Sequence, residues 1–191
     1  MEPIDRDPEI ILDSESLPET KLLNTSQFIA LYILTFGGYS WWWTYKTWRY
    51  FRNEKGMDVM PVMRTIFSIF FQYSLFNNVQ QLAISKGYEK RYSAIGLYLL
   101  MLAITITSTM LNLSGNYDRS SGQANGAYEV FVMALSFLTM FVFIQPFNAL
   151  NFCLEQNNER VVEGKFETRH YILMALGILI WIFFFVGVFG Q

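Results

Sequence analysis

Beyond residue 27 the chain alternates between long stretches without Asp, Glu, Lys or Arg and short charged joints. Phe28–Tyr45 contains 18 such residues, Tyr92–Tyr117 contains 26, Val130–Leu154 contains 25 and Tyr171–Gln191 contains 21. A helix rises about 1.5 Å per residue, so roughly 20 residues cross the ~30 Å hydrocarbon layer of a bilayer. A core helix of a water-soluble domain carries charge along its outer face, and these four runs have none to place there. The pattern predicts an all-α integral membrane helical bundle with four transmembrane helices, at about residues 28–45, 93–114, 129–153 and 171–190. Together they make a membrane domain over residues 28–191.

A fifth uncharged stretch, Thr65–Ser85, changes character partway. "TIFSIFFQYSLF" is apolar on most sides, whereas Asn77, Asn78, Gln80 and Gln81 crowd into five residues. Each buried side-chain amide without a partner costs on the order of 1–3 kcal/mol. Residues 62–85 therefore read as an amphipathic helix, interfacial or partly inserted, rather than a fifth span. The distribution of bases supports this. With four spans and an external N-terminus, eleven Lys and Arg fall inside and three outside. If residues 65–85 also crossed, the split would be six to eight. Bases flanking membrane helices stay cytoplasmic, so the pattern selects four spans with both termini external.

The stretch "YSWWWTYKTWRYFRNEKG" then reads as a set of membrane-interface anchors. Trp41, Trp42, Trp43 and Trp48 are rings suited to the head-group level, and Lys46, Arg49 and Arg52 follow within reach of lipid phosphates. The anchoring partner is the lipid bilayer. Residues 1–27 carry seven acids against Arg6 and Lys21 and lack the basic and apolar order of a cleavable signal, so they are expected to form an acidic mobile tail.

Composition excludes more than it identifies. A net charge of −2 does not favour nucleic acid. One cysteine, Cys153, and one histidine, His170, exclude an internal disulfide, multi-Cys zinc sites and paired-histidine metal motifs. No charge falls in the middle of a predicted span, which argues against proton pumps and voltage sensors. No phosphate-cradling glycine loop, HExxH or GxSxG occurs, so neither cofactor nor catalytic residue is expected. Gln145, Asn148 and Asn151 recur every three residues around Pro146 and form the candidate polar cluster. Such groups usually bond between helices; the functional alternative is the lining of a small permeation path.

The residues Trp43, Tyr45, Lys46 and Trp48, then Pro61, Arg64 and Phe67, and later Pro146 and Asn148, resemble a group of small bacterial multi-pass membrane proteins of unknown function. That resemblance implies a bacterial cytoplasmic membrane and carries no activity or site residues with it. The expected function is a non-enzymatic membrane component, partner-binding or envelope-associated, whose partner is another membrane protein or a second copy of the chain. The alternative is a small channel or permeation subunit lined by the third span.

Overall fold

The computed structural model describes residues 20–120, 126–156, 161–163 and 168–189. Residues 1–19 of the expected tail lie outside that set. Residues 20–27, expected to belong to it, are instead built in. Strand β1 (Thr20–Leu22) pairs in parallel with β2 (Val161–Glu163), in the register Thr20↔Val161 to Leu22↔Glu163. Among the described residues all other regular structure is helical, and the sheet is a two-strand clip on the helices.

Helix α1 spans Thr25–Leu34. Asn24 is the cap: its Oδ1 accepts from Gln27 N at 2.8 Å, and Gln27 Oε1 accepts from Asn24 N at 2.9 Å. This reciprocal box satisfies two amides that a helix start leaves unpaired. The helix then stops far short of a membrane width. Phe36 and Gly37 take positive φ values of 52° and 81°, and Gly37 N donates to Tyr32 O. Helix α2 (Gly38–Lys55) runs back along α1, with Phe28 centred 5.7 Å from Tyr39 and 6.4 Å from Trp43. The expected first span, 28–45, is therefore corrected to a helical hairpin. Its tip is the Gly37–Gly38 pair, and Thr35 Oγ1 ties the turn by donating to Leu31 O and accepting from Tyr39 N.

Helix α3 (Pro61–Ile66) starts on proline, whose fixed φ suits a first turn. Helix α4 (Ser68–Ser85) follows directly and divides along its length. Its first turns leave Phe67, Ile69 and Phe70 exposed, while Leu75, Phe76, Val79 and Ala83 are buried. Gln72 is buried too, and its Nε2 has no hydrogen-bond partner. The expected amphipathic 62–85 segment thus shows a broad apolar face outward mainly in its first half, whereas the second half buries most of its apolar residues and leaves Gln81 and Ile84 exposed.

Helix α5 (Ala94–Ser120) runs antiparallel to α4. Tyr92 OH donates to Phe76 O at 2.8 Å, Tyr98 OH donates to Ile69 O at 2.8 Å, and Gln80 Nε2 donates to Tyr92 O. Burial pushes the Tyr92 phenol well above its ordinary range, so it remains a donor at any physiological pH. Helices α6 (Gly126–Phe137) and α7 (Thr139–Glu155) carry the chain back. Their break falls at Leu138 and not at Pro146, which sits inside α7. Ser136 Oγ bonds Val132 O and Thr139 Oγ1 bonds Ser136 O, and such hydroxyls compete with the backbone ladder. Helix α8 (Thr168–Phe189) closes the fold.

The core lies where α1, α2, α4 and α7 meet, and it is largely aromatic. Phe143 contacts Tyr32, Trp43 and Phe76, while Phe147 lies 4.4 Å from Phe28. Helix α1 runs antiparallel to α7: Leu23 faces Asn151, Thr25 faces Asn148 and Tyr32 faces Thr139. Because Thr139 donates to Ser136 O, the 2.6 Å bond is donated by the Tyr32 hydroxyl. Among the described residues, Ala94–Ser114 and Tyr128–Glu155 are long and apolar enough to cross a membrane, while Thr25–Leu34 and His170–Val186 are apolar but shorter.

Candidate functional site

The anchor motif divides in two once folded. Helix α2 presents Trp41 and Trp42 outward, 58% and 39% exposed, with Lys46, Arg49 and Arg52 on exposed positions. Trp43 and Trp48 point the other way and are 6% and 0% exposed. Those two rings are therefore core residues of the fold. A helix turns about 100° per residue, so three consecutive tryptophans cannot share one face. The sequence made them look equivalent because composition carries no direction.

Trp48 also joins the motif to α3. The Arg64 guanidinium stacks 4.5 Å from the Trp48 ring centre and 5.1 Å from Phe71, which pins α3 to both α2 and α4. Further along α2, Lys46 lies 6.0 Å over Trp42. Around this pair of stacks, Met60, Val62, Met63, Ile66 and Phe70 are all exposed. An apolar ridge flanked by cations results, the surface chemistry of an element lying at an anionic bilayer boundary.

A cleft of about 340 Å³ lies where the start of α1, the residues between α4 and α5 and the end of α7 converge. Its wall includes Asn148, Asn151, Lys90 and Glu155. The two asparagines of the candidate cluster are engaged here: Asn148 Oδ1 accepts from Thr25 Oγ1 at 2.6 Å, and Asn151 Nδ2 donates to Leu23 O at 2.8 Å. Gln145 is exposed on α7 and does not line the cleft. The structure thus brings together two of the three predicted residues, as ties holding α1 to α7. Nearby, Lys86 Nζ donates to Cys153 O at 2.9 Å and Tyr88 lies 5.0 Å from Phe152.

These contacts revise the expected orientation. Asn24 and Thr25 stand at the same end as Tyr88, Lys90 and Glu155, so the start of α1 and the turn at 86–92 cannot lie on opposite sides of a layer. His170 is buried at the start of α8, with its ring 6.3 Å from Tyr39. Among the described residues, no three His, Cys, Asp or Glu side chains gather as metal ligands would. Comparison with family models, curated proteins and solved structures returns no match for this chain.

Two features at the other face of the fold had no counterpart in the sequence reading. Gly177 lets α8 approach the α1 backbone closely, and Trp181 Nε1 donates to Ile33 O at 3.2 Å. The available signal was a glycine four residues before the sole tryptophan of a phenylalanine-rich run.

Proposed function

We propose that the chain is a multi-pass integral membrane protein that crosses three times, through α5, through α6 with α7, and through α8. In this reading the α1–α2 hairpin is re-entrant, entering from the basic end and returning to it. The observation that carries the reading is the outward face of α8. Ile178, Leu179, Ile180, Ile182 and Phe183 are all exposed, and at about 100° per residue they cover an arc of roughly 200°, the whole side of α8 turned away from α1. Helix α5 likewise exposes Ile95, Leu99, Leu100, Ile106, Met110 and Leu113. Water-soluble monomers rarely show contiguous apolar patches beyond a few hundred Å², whereas lipid is the solvent that such surfaces match.

Three crossings also improve the charge balance. Among the described residues, Lys21, Lys46, Arg49, Arg52, Lys55, Arg64, Lys86, Lys90, Arg91 and Arg169 fall on one side and Arg119 on the other. The basic side is cytoplasmic by the positive-inside rule. The resemblance noted above favours a bacterial cytoplasmic membrane. On that side the Trp41–Trp42 face and the α3–α4 ridge rest on the inner leaflet.

Within that membrane the role we propose is a non-enzymatic, partner-binding component. The permeation alternative relied on Gln145, Asn148 and Asn151 as a lining. Gln145 faces elsewhere and both asparagines hold α1 in place, so it has no observation in its favour. Membranes bearing the protein, washed in alkaline carbonate, test the integral reading. The chain should remain with the lipid pellet and leave only with detergent. Release by carbonate alone contradicts membrane integration.

A further inference from the structure

A cavity of about 460 Å³ opens between the first turns of α2 and the first turns of α8. Its size falls within the range of small-molecule pockets, and its wall is almost wholly apolar. Trp42 lines it from α2, and Ile172 and Leu173 line it from α8. The hydroxyl of Thr35, on the same wall, is tied into the hairpin turn, donating to Leu31 O and accepting from Tyr39 N. Gly38 keeps the wall open, since beyond its own helix an added Cβ would meet only the Thr35 side chain, at 3.7 Å. Trp42 and Ile172 are both exposed, so the cavity opens sideways. Ile172, Leu176 and Leu179, spaced four and three residues apart, continue it into the exposed apolar face of α8.

From this cavity a single stripe follows α2 toward the basic side. Gly38, Trp42, Tyr45 and Arg49 stand at i, i+4, i+7 and i+11, within an arc of about 60°. The Trp42 and Tyr45 ring centres are 5.7 Å apart. Arg49 is exposed and lies about 16 Å from Gly38 along the helix axis. An apolar recess, an aromatic track and a guanidinium therefore succeed one another on one face.

We propose that this track holds one anionic phospholipid of the cytoplasmic leaflet, with an acyl chain in the cavity and the phosphate at Arg49. The inference rests on the membrane reading, which puts Arg49 toward the cytoplasmic side and Gly38 deeper in the bilayer. A guanidinium pairs with a phosphate through two parallel N–H···O bonds. The chain gains little by leaving other lipid tails, which are as apolar as the cavity. Packing against Trp42, Ile172 and Leu173 thus lengthens residence, and the head group sets selectivity. Phosphatidylcholine carries its own ammonium beside the phosphate, which offsets the pairing, whereas phosphatidylglycerol has none.

The test titrates the full-length protein, delipidated in detergent, with dioleoyl phosphatidylglycerol or dioleoyl phosphatidylcholine and counts bound lipid by native mass spectrometry. One phosphatidylglycerol should bind saturably, about fivefold more tightly than phosphatidylcholine, the ratio one base contributes near an anionic surface. Arg49→Gln should abolish that preference and leave phosphatidylcholine binding unchanged. Gly38→Leu, whose side chain would grow into the cavity, should weaken both lipids by about tenfold, because a filled cavity leaves the acyl chain without packing partners. Equal affinity of the parent protein for the two lipids overturns the proposal, whether or not either variant folds. Absence of a saturable one-to-one adduct overturns it too, as does an unchanged preference in folded Arg49→Gln or unchanged affinities in folded Gly38→Leu. A dimer that Gly38→Leu dissociates would assign the groove to a second copy of the chain and likewise overturn it. Release by alkaline carbonate removes the membrane reading and this inference together; a protein that stays in the pellet yet binds no lipid one-to-one contradicts this inference alone.

Discussion

Replacing Gly177 by alanine adds one carbon, yet it should loosen the seat of α8. An ideal Cβ at this position would lie 2.1 Å from the Leu34 carbonyl oxygen and 2.8 Å from its carbon. Both are backbone atoms, so no rotamer change relieves the clash. Ordinary contact begins at 3.4 Å, and α8 therefore has to retreat by about 1 Å. That displacement weakens the bond from Trp181 Nε1 to Ile33 O, worth about 1 kcal/mol. It also opens the contacts of Trp181 with Phe36 at 4.5 Å and with Phe137 at 5.9 Å, worth about 0.5–1.5 kcal/mol each. Alanine returns about 1 kcal/mol through its higher helix propensity. The net expectation is a loss of about 1–3 kcal/mol, obtained from the same terms. Gly96 is the control, because a Cβ there meets only the Ser93 side chain, at 3.1 Å and 3.2 Å. Gly96→Ala should be neutral or slightly stabilising. Reversible denaturation in mixed micelles, followed by circular dichroism and tryptophan emission, measures both. A Gly177→Ala protein as stable as the parent would refute the close-approach argument, as would equal losses at the two glycines.

Three other substitutions probe the core by the same assay. Gly37→Ala places an L side chain at φ 81° with its Cβ 3.3 Å from the Tyr32 ring, and should cost about 1–2 kcal/mol; a neutral result would mean that the hairpin turn is differently built. Arg64→Met removes the cation between Trp48 and Phe71 and should cost about 1–2 kcal/mol, with Arg64→Lys intermediate. If methionine is harmless, the stacking is mere proximity. Gln72→Met should instead stabilise, by about 1–3 kcal/mol, because it removes a buried Nε2 that has no partner; destabilisation would show that the amide is satisfied after all.

The helical class and the positions of the long apolar helices were legible in the charge-free runs. The runs expected at 93–114 and 129–153 coincide with α5, which begins at Ala94, and with α6 and α7, which break at Leu138. The hairpin of α1 and α2 was not legible, because hydropathy is unchanged across Gly37. Only the positive φ values at Phe36 and Gly37 reverse the chain. The same limit applied to the tryptophans. Trp42 and Trp43 are alike in composition, and only helical phase puts one outside and the other against Phe147. Asn148 and Asn151 stood out by spacing, but their roles depended on Thr25 and Leu23, more than a hundred residues away in the chain. Basic-residue counting selected four spans because it took the first apolar run to cross, whereas in the proposed topology a re-entrant pair moves the start of α1 to the other side without changing the composition.

The proposed topology is tested most directly by single-cysteine labelling in sealed vesicles, in a Cys153→Ala background. Cysteines at Ser26 and Glu89 should react with a membrane-impermeant maleimide from the cytoplasmic side only, and a cysteine at Ser114 from the opposite side only. Labelling of Ser26 and Glu89 from different sides, or of all three from one side, would contradict the account.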